Sequence, residues 1–136
     1  MIQSSMDNMI WEKDYGPFRV FVHINDEDTD PRDIFPADSN PIDEIVKQIE
    51  TGEKIWVQAR AEVWCKGVEL GSANIGGLLY NDHKELIEEV CDHDCYGIVH
   101  KALKEARATL KYLREVTIPS EEQLTSQFME ALAKPA

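Results

Sequence analysis

Two stretches of the chain place apolar residues at every second position, which is the period of a β-strand. Residues 18–24 are aromatic and β-branched on both faces, so they predict a central strand. In residues 55–65 every odd position is apolar, and this predicts a long, half-buried strand. Lys66-Gly67 predicts a tight turn that returns the chain as a partner strand from residue 68. The glycines that follow predict a bulge or close packing: Gly71, Gly76 and Gly77.

Other stretches repeat their apolar residues at the 3.6-residue period of a helix. Asn40 and Pro41 are typical of a helix start, and Thr51-Gly52 is typical of a helix end. Asn81 or Asp82 caps the next helix, and Ser120 with Gln123 forms a capping box for a short final one. The predicted helices therefore cover residues 41–50, 82–91, 95–116 and 120–133.

This order of elements predicts a single α+β domain over residues 1–136. The sheet should be small and partly antiparallel, with about three strands and a long β-hairpin, and two to four helices should cover one of its faces. Residues 25–40 are rich in Asp and Pro and predict a loop. Residues 1–16 have mixed character, which is compatible with a short helix, a strand or a mobile N-terminal arm.

The composition narrows the classes of function. The chain of 136 residues has a net charge of −12 and 43% apolar residues, which is enough to bury a core. Residues 1–50 hold 12 acidic and 4 basic side chains, so this part carries −8 of the charge. Direct binding to nucleic acid or to an anionic membrane is therefore not expected. No apolar run suits a membrane span and no secretory signal is visible, so the three cysteines predict free thiols in the cytoplasm.

Cysteine and histidine cluster in one segment, and these are the usual ligands of zinc. The weak candidates for a metal site are Cys91, His93, Cys95 and His100. A second C-x2-C or H-x3-H half is missing, so the prediction is two half-buried thiols at a helix junction, with no cofactor. A zinc-stabilised or regulatory domain is the alternative. Neighbouring acids should raise the pKa of the Cys91 thiol, which disfavours a nucleophile, and no catalytic residues are predicted.

Residues 26–30 resemble the start of a calcium loop, but the match then fails. Pro31 stands where the loop requires glycine, and Ala37 stands where it requires a bidentate glutamate. The acids of segments 26–33 and 38–44 instead suit the basic surface of a protein partner. The predicted contact residues in these segments are Asp26, Glu27, Asp28, Asp30, Asp33 and Asp38.

Three further candidates lie on the even-numbered face of the long strand. Trp56 and Trp64 flank Arg60 there, on a face that is otherwise polar. Either the N-terminal arm covers these indoles, or they contact a partner or a second copy in a homodimer. Five basic residues recur at helical spacing on residues 101–114, and they predict a solvated helix face.

The hairpin sequence KGVELG at Lys66–Gly71 is followed by Gly76-Gly77 and then by a charged helix. With these motifs, residues 54–115 resemble small acidic proteins encoded by phages and prophages. The resemblance implies a phage-derived binding protein that inhibits a host complex handling nucleic acid, of the anti-CRISPR or anti-restriction type. Such inhibition works by protein–protein contact, in some cases by presenting carboxylates where the target expects phosphates, as a DNA mimic does.

Overall fold

The structure, a computed structural model, describes residues 8–35, 41–116 and 121–133. These residues form one antiparallel sheet in chain order, with strands β1 Met9–Tyr15, β2 Phe18–Asp26, β3 Ile55–Cys65 and β4 Val68–Tyr80. The helices are α1 Pro31–Ile34, α2 Ile42–Glu50, α3 His83–Leu86, α4 Ile98–Glu115 and α5 Glu121–Ala133, and Ile87–Asp92 is π-helical. The predicted α+β class is confirmed.

The core lies between one face of the sheet and the helices. In the register of β2 on β3, Val20 stands opposite Val63 and Val22 opposite Ala61, and all four side chains are buried. Both strands have neighbours on either side, as the apolar pattern of residues 18–24 predicts for β2. Helix α4 and the segment before it complete the core with Leu86, Val90, Cys91, Ile98, Val99, Ala102 and Ala106.

Helix α4 packs directly on the backbone of β4 at Gly71. A Cβ atom built at Gly71 would collide with the carbonyl oxygen of Ala102 and would lie 2.6 Å from the backbone nitrogen of Ala106. Glycine in the strand and alanines in the helix therefore allow a closer approach than larger side chains would permit. The predicted close packing at this glycine is confirmed.

The hairpin between β3 and β4 turns at Lys66 and Gly67, whose φ angles are +50° and +79°. Positive φ at both central residues is the pattern of a type I′ turn, which suits the twist of paired strands. Farther along β4, Gly76 and Gly77 face the single residue Gln58 of β3, and Gly77 has a φ of +68°. The predicted turn and the predicted bulge are therefore both present.

Part of the N-terminal segment, for which a strand was one of the options, is a fourth strand. Residues 9–15 pair with β2, so the sheet has one strand more than predicted. The register of β1 shifts between Met9 and Trp11, which interrupts the alternation that would mark a strand in the sequence. The indole nitrogen of Trp11 also donates to Asp92 of the π-helical segment at 3.0 Å.

Three helix boundaries also differ from the expectation. Asp30 caps a single helical turn, α1, inside the predicted loop, because its carboxylate accepts from the backbone nitrogen of Arg32. Asp82 caps α3 as predicted, but the helix continues only as the π-helical segment. Helix α4 begins at Ile98 because Asp94 accepts from the backbone nitrogens of Val99 and His100. The predicted cap residues Asn40 and Ser120 lie outside the described residues.

Two glycine substitutions separate steric from conformational constraints in this fold. Gly71→Ala should lower the free energy of unfolding by about 1–3 kcal/mol, because the new methyl group must displace helix backbone. Gly67→Ala should cost about 1–2 kcal/mol from its left-handed conformation alone, since nothing lies within 4 Å of a Cβ there. Urea unfolding measures both values, and amide exchange should increase in α4 only for the first variant. A Gly71→Ala protein as stable as the wild type would contradict the close approach.

Candidate functional site

The predicted acidic contact residues lie on one loop and its short helix. We call residues 26–33 the acidic loop. Asp26, Asp28 and Asp33 are exposed, whereas Glu27 is half-buried and Asp30 caps α1 and lies 3.7 Å from Arg32. Asp38 lies outside the described residues. Asp30 is exposed as well, but its carboxylate and that of Glu27 accept backbone hydrogen bonds that hold the loop, which leaves Asp26, Asp28 and Asp33 as the exposed carboxylates outside these bonds.

Hydrogen bonds fix the acidic loop to the sheet. The Glu27 carboxylate accepts from the backbone nitrogen of Gly77 at 2.6 Å and from that of Thr29 at 3.2 Å. The backbone nitrogen of Glu27 donates to the carbonyl oxygen of Trp56 at 3.1 Å. The hydrogen bond from Gly77 has the largest effect on the pKa of the Glu27 carboxyl and lowers it, and the bond from Thr29 lowers it further. The loop is consequently held to both strands of the long hairpin.

Trp56 belongs to this anchoring and not to an exposed contact surface. Its side chain is only 7% exposed, its indole nitrogen donates to the carbonyl oxygen of Thr29 at 2.8 Å, and its ring lies 5.7 Å from that of Phe35. The expectation that Trp56 contacts a partner is therefore corrected. Among the described residues its cover comes from the segment 29–35, because the acidic loop folds back over this end of β3.

Arg60 and Trp64 do share a surface, and a buried carboxylate joins them. Glu62 lies between them on the sheet face opposite α4, and its oxygens accept from Arg60 Nε at 2.9 Å and from Trp64 Nε1 at 3.2 Å. The third neighbour is His23 of β2, whose Nε2 lies 3.1 Å from Glu62 Oε1. His23 is 4% exposed and Glu62 is 7% exposed. We call these four residues the polar network.

The ionisation of Glu62 reflects two opposing effects. Burial alone would raise the pKa of this carboxyl, but the hydrogen bonds from Arg60 and Trp64, with the neighbouring His23, outweigh it and lower the pKa. Arg60 also lies 3.3 Å from Glu69 of β4, which fixes its guanidinium across the strands. The polar network thus holds a carboxylate in a place that would otherwise favour the neutral acid.

A cavity of about 370 Å³ lies next to the polar network. It opens at the end of the sheet where the β1–β2 turn and the β3–β4 turn are neighbours. The lining is mostly apolar and comes from β2, β3 and these two turns. Its residues are Pro17, Arg19, Phe21, His23, Glu62, Trp64, Lys66 and Gly67. Of the predicted contact residues, only Trp64 lines this cavity.

The cysteine and histidine candidates do not form a ligand set. Cys91 is buried in the core, whereas His93, Cys95 and His100 are exposed. The pKa of the Cys91 thiol is raised to about 12, mainly by burial. The negative charges of Asp92 and Asp94 raise it further. Within residues 8–35, 41–116 and 121–133, no group of three or more His, Cys, Asp or Glu side chains is placed to hold a metal ion.

Sequence reasoning missed His23, Glu62 and Phe21 as members of one surface. The alternation in β2 and β3 places each of them on the polar face of its strand. Only the register adds that Phe21 stands opposite Glu62 and His23 opposite Arg60. Aligning the polar faces of β2 and β3 in the sequence would have identified the cluster, although not how deeply its side chains are buried.

The chain is not matched by any protein-family model, curated protein or solved structure. Among the residues that the structure describes, no helix has the length and apolar character needed to cross a bilayer. The acidic loop, the polar network and the cavity are therefore the features from which a function can be inferred.

The lowered pKa of Glu62 makes part of the stability depend on pH. The ionised carboxyl stabilises the fold above its ordinary pKa, and this contribution is lost as the pH falls through the lower pKa of the folded state. Glu62→Gln should therefore be less stable than the wild type at pH 7, and the difference should shrink toward pH 3. Urea unfolding across this range measures it, with the exposed Glu105→Gln as the matched control. A difference that does not change with pH would contradict the role of the charge.

Proposed function

We propose that this chain acts by binding, as a phage-derived inhibitor of a host complex that handles nucleic acid. The acidic loop would contact a surface rich in Lys and Arg, in the cytoplasm of a bacterial host. The contact is between proteins, and the carboxylates occupy positions where the complex otherwise meets phosphates. The observation that carries the proposal is the fixed presentation of Asp26, Asp28 and Asp33.

A fixed acidic loop binds at a lower entropic cost than a flexible one. Ordering a mobile segment on association costs about 0.5–1.5 kcal/mol for each immobilised side chain. Here Glu27, Trp56 and the cap at Asp30 already hold the backbone through four hydrogen bonds to Gly77, Thr29 and Arg32. The backbone that carries the exposed carboxylates is therefore ordered before a partner arrives.

The distribution of charge supports the same partner chemistry. Helix α2 follows the acidic loop and adds Asp43 and Glu44 in its first turn, and the Asp43 side chain is 92% exposed. A single exposed ion pair contributes only about 0–1 kcal/mol. Several together attract a basic surface over a distance and accelerate association by 10-fold or more at low salt. Affinity of this kind decreases steeply with ionic strength.

The resemblance of residues 54–115 to phage proteins supplies the biological class of the target. Phage products that resemble this hairpin and charged helix suggest a defence complex, such as a CRISPR or restriction assembly. The acidic loop supports that assignment physically, because such complexes carry cationic grooves for nucleic acid. The surface around Arg60 and Trp64 is the second candidate for the contact, because Trp and Arg are frequent at interface hot spots.

Two variants with equal charge test the proposal. Asp26→Asn/Asp28→Asn/Asp33→Asn removes three exposed carboxylates of the acidic loop and leaves its anchors Glu27 and Asp30 intact. Glu88→Gln/Glu105→Gln/Glu115→Gln removes three exposed charges elsewhere and is the matched control. Proteins captured from a bacterial lysate by the wild type are purified, and association rates are measured at about 50 and 300 mM salt. We expect the loop variant to associate roughly 10-fold more slowly at low salt, with a flatter salt dependence.

The control variant should remain close to the wild type, and the wild type should displace DNA or RNA from the purified partner. Equal rates for the two variants would rule out the acidic loop as the contact surface. A partner that binds no nucleic acid would contradict the inhibitor proposal even if the loop were the contact.

A further inference from the structure

The cavity beside the polar network has the features of a ligand site separate from the acidic loop. Its volume of about 370 Å³ lies at the lower end of the range for small-molecule sites, which suits a ligand of one or two rings. The charged side chains in its lining are Arg19, Lys66 and Glu62. We propose that this cavity binds a small aromatic carboxylate, with the ring against Phe21 and Trp64 and the carboxylate at Lys66.

Two aromatic side chains provide the apolar part of the site. Phe21 of β2 and Trp64 of β3 point to the same sheet face from neighbouring strands, and both are only half-buried. Trp64 is oriented by its hydrogen bond to Glu62, so its ring does not have to be ordered when a ligand enters. Aromatic side chains in such positions favour flat, apolar groups that stack on them or meet their edges.

The charges at the cavity favour an anion. Among the described residues that line the cavity, Glu62 is the only acid, and its oxygens already accept from Arg60 and Trp64 and lie beside His23. Arg19 pairs with Asp14 through Nε at 2.9 Å. Lys66 is exposed, and within the described residues it has no carboxylate partner within 4.0 Å. A ligand carboxylate would give this ammonium group the charged hydrogen-bond partner that it lacks.

The turn conformation adds an independent observation on Lys66. Its φ of +50° belongs to the left-handed region, where type I′ turns favour Asn, Asp or Gly. Lysine at this position costs stability relative to those residues, and within the described part of the chain no hydrogen bond or ion pair of its side chain offsets this cost. Strained non-glycine residues often lie at functional sites. Lys66 fits this pattern, because it places an ammonium group at the cavity where a ligand carboxylate can bind.

Three indole compounds test the ligand chemistry with the full chain. Indole-3-acetate is anionic and tryptamine is cationic, while Gly-Gly-Trp carries its carboxylate at a peptide terminus. Binding is followed by the indole N–H signal of Trp64 in a proton–nitrogen correlation spectrum, which Trp64→Phe assigns. We expect indole-3-acetate to bind at least about 10-fold more tightly than tryptamine, a difference of about 1.4 kcal/mol. Tighter binding of Gly-Gly-Trp than of indole-3-acetate would identify the source of the carboxylate as a polypeptide end.

Matched variants assign the effect to the cavity. Lys66→Met should reduce the preference for indole-3-acetate at least 5-fold, whereas Lys104→Met, on the exposed face of α4, should leave it unchanged. Phe21→Leu should weaken the binding of both indole-3-acetate and tryptamine. Circular dichroism confirms that each variant is folded. The acidic-loop variant should bind indole-3-acetate like the wild type, so the two proposals fail separately. The proposal would be overturned if the Trp64 signal did not shift at several millimolar indole-3-acetate. It would also be overturned if indole-3-acetate and tryptamine bound equally tightly.

Discussion

The pairing register of β2 and β3 is the constraint on which the rest of this structure depends. The two strands are joined by the long segment 27–54, so no tight turn fixes how they align. A slip of β2 by one residue against β3 would bring Phe21 and His23 to the face that packs against α4, and would move Val20 and Val22 to the opposite face. The cost of burying His23 in the core without Glu62, together with the loss of two buried valines, excludes the alternative pairing. Side-chain chemistry alone therefore selects the register, and the register then builds both the core and the polar network.

The two faces of the sheet carry different kinds of side chain. On the core face small residues dominate, and Gly71, Ala102 and Ala106 let α4 lie against the strand backbone. On the other face a carboxylate, a guanidinium, an imidazole and an indole satisfy one another in the polar network. A buried ionic cluster contributes little net stability because desolvation offsets the attraction. The polar network instead fixes the positions of side chains, since it orients Trp64 beside the cavity and holds Arg60 across β3 and β4.

Most of the fold was predictable because its signals are local. The alternation of residues 55–65, the turn at Lys66-Gly67, the glycine bulge and the cap at Asp82 each depend on a few adjacent residues. β1 was not predictable, because a shift in register disrupts its pattern just where apolar residues would mark it. The candidate site was predicted in pieces. Arg60 and Trp64 were visible as unusual residues on a polar face, but their link to His23 depends on pairing across 39 residues of chain.

Trp56 shows why exposure could not be inferred from the pattern. It lies on the same strand face as Arg60 and Trp64, yet the chain itself covers it with Thr29 and Phe35. Whether a loop folds back over a strand depends on contacts made far away in sequence, here the bond between Glu27 and Gly77. The sequence placed Glu27, Asp28 and Asp30 on a loop, as the structure does, but Asp26 ends β2 and Asp33 lies in α1. The division between exposed carboxylates and internal anchors required the three-dimensional structure.

The bond between Trp11 and Asp92 has a consequence for how copies of this protein behave toward one another. β1 is an edge strand of seven residues, and such a strand can detach and leave the edge of β2 open to the same strand of another molecule. That exchange is strand swapping, and it converts monomers into entangled dimers or longer chains. A hydrogen bond spanning 81 residues ties β1 to the π-helical segment, so detachment also breaks a contact with the helical layer. The hydrogen bond to the π-helical segment therefore opposes the detachment of β1 that strand swapping requires.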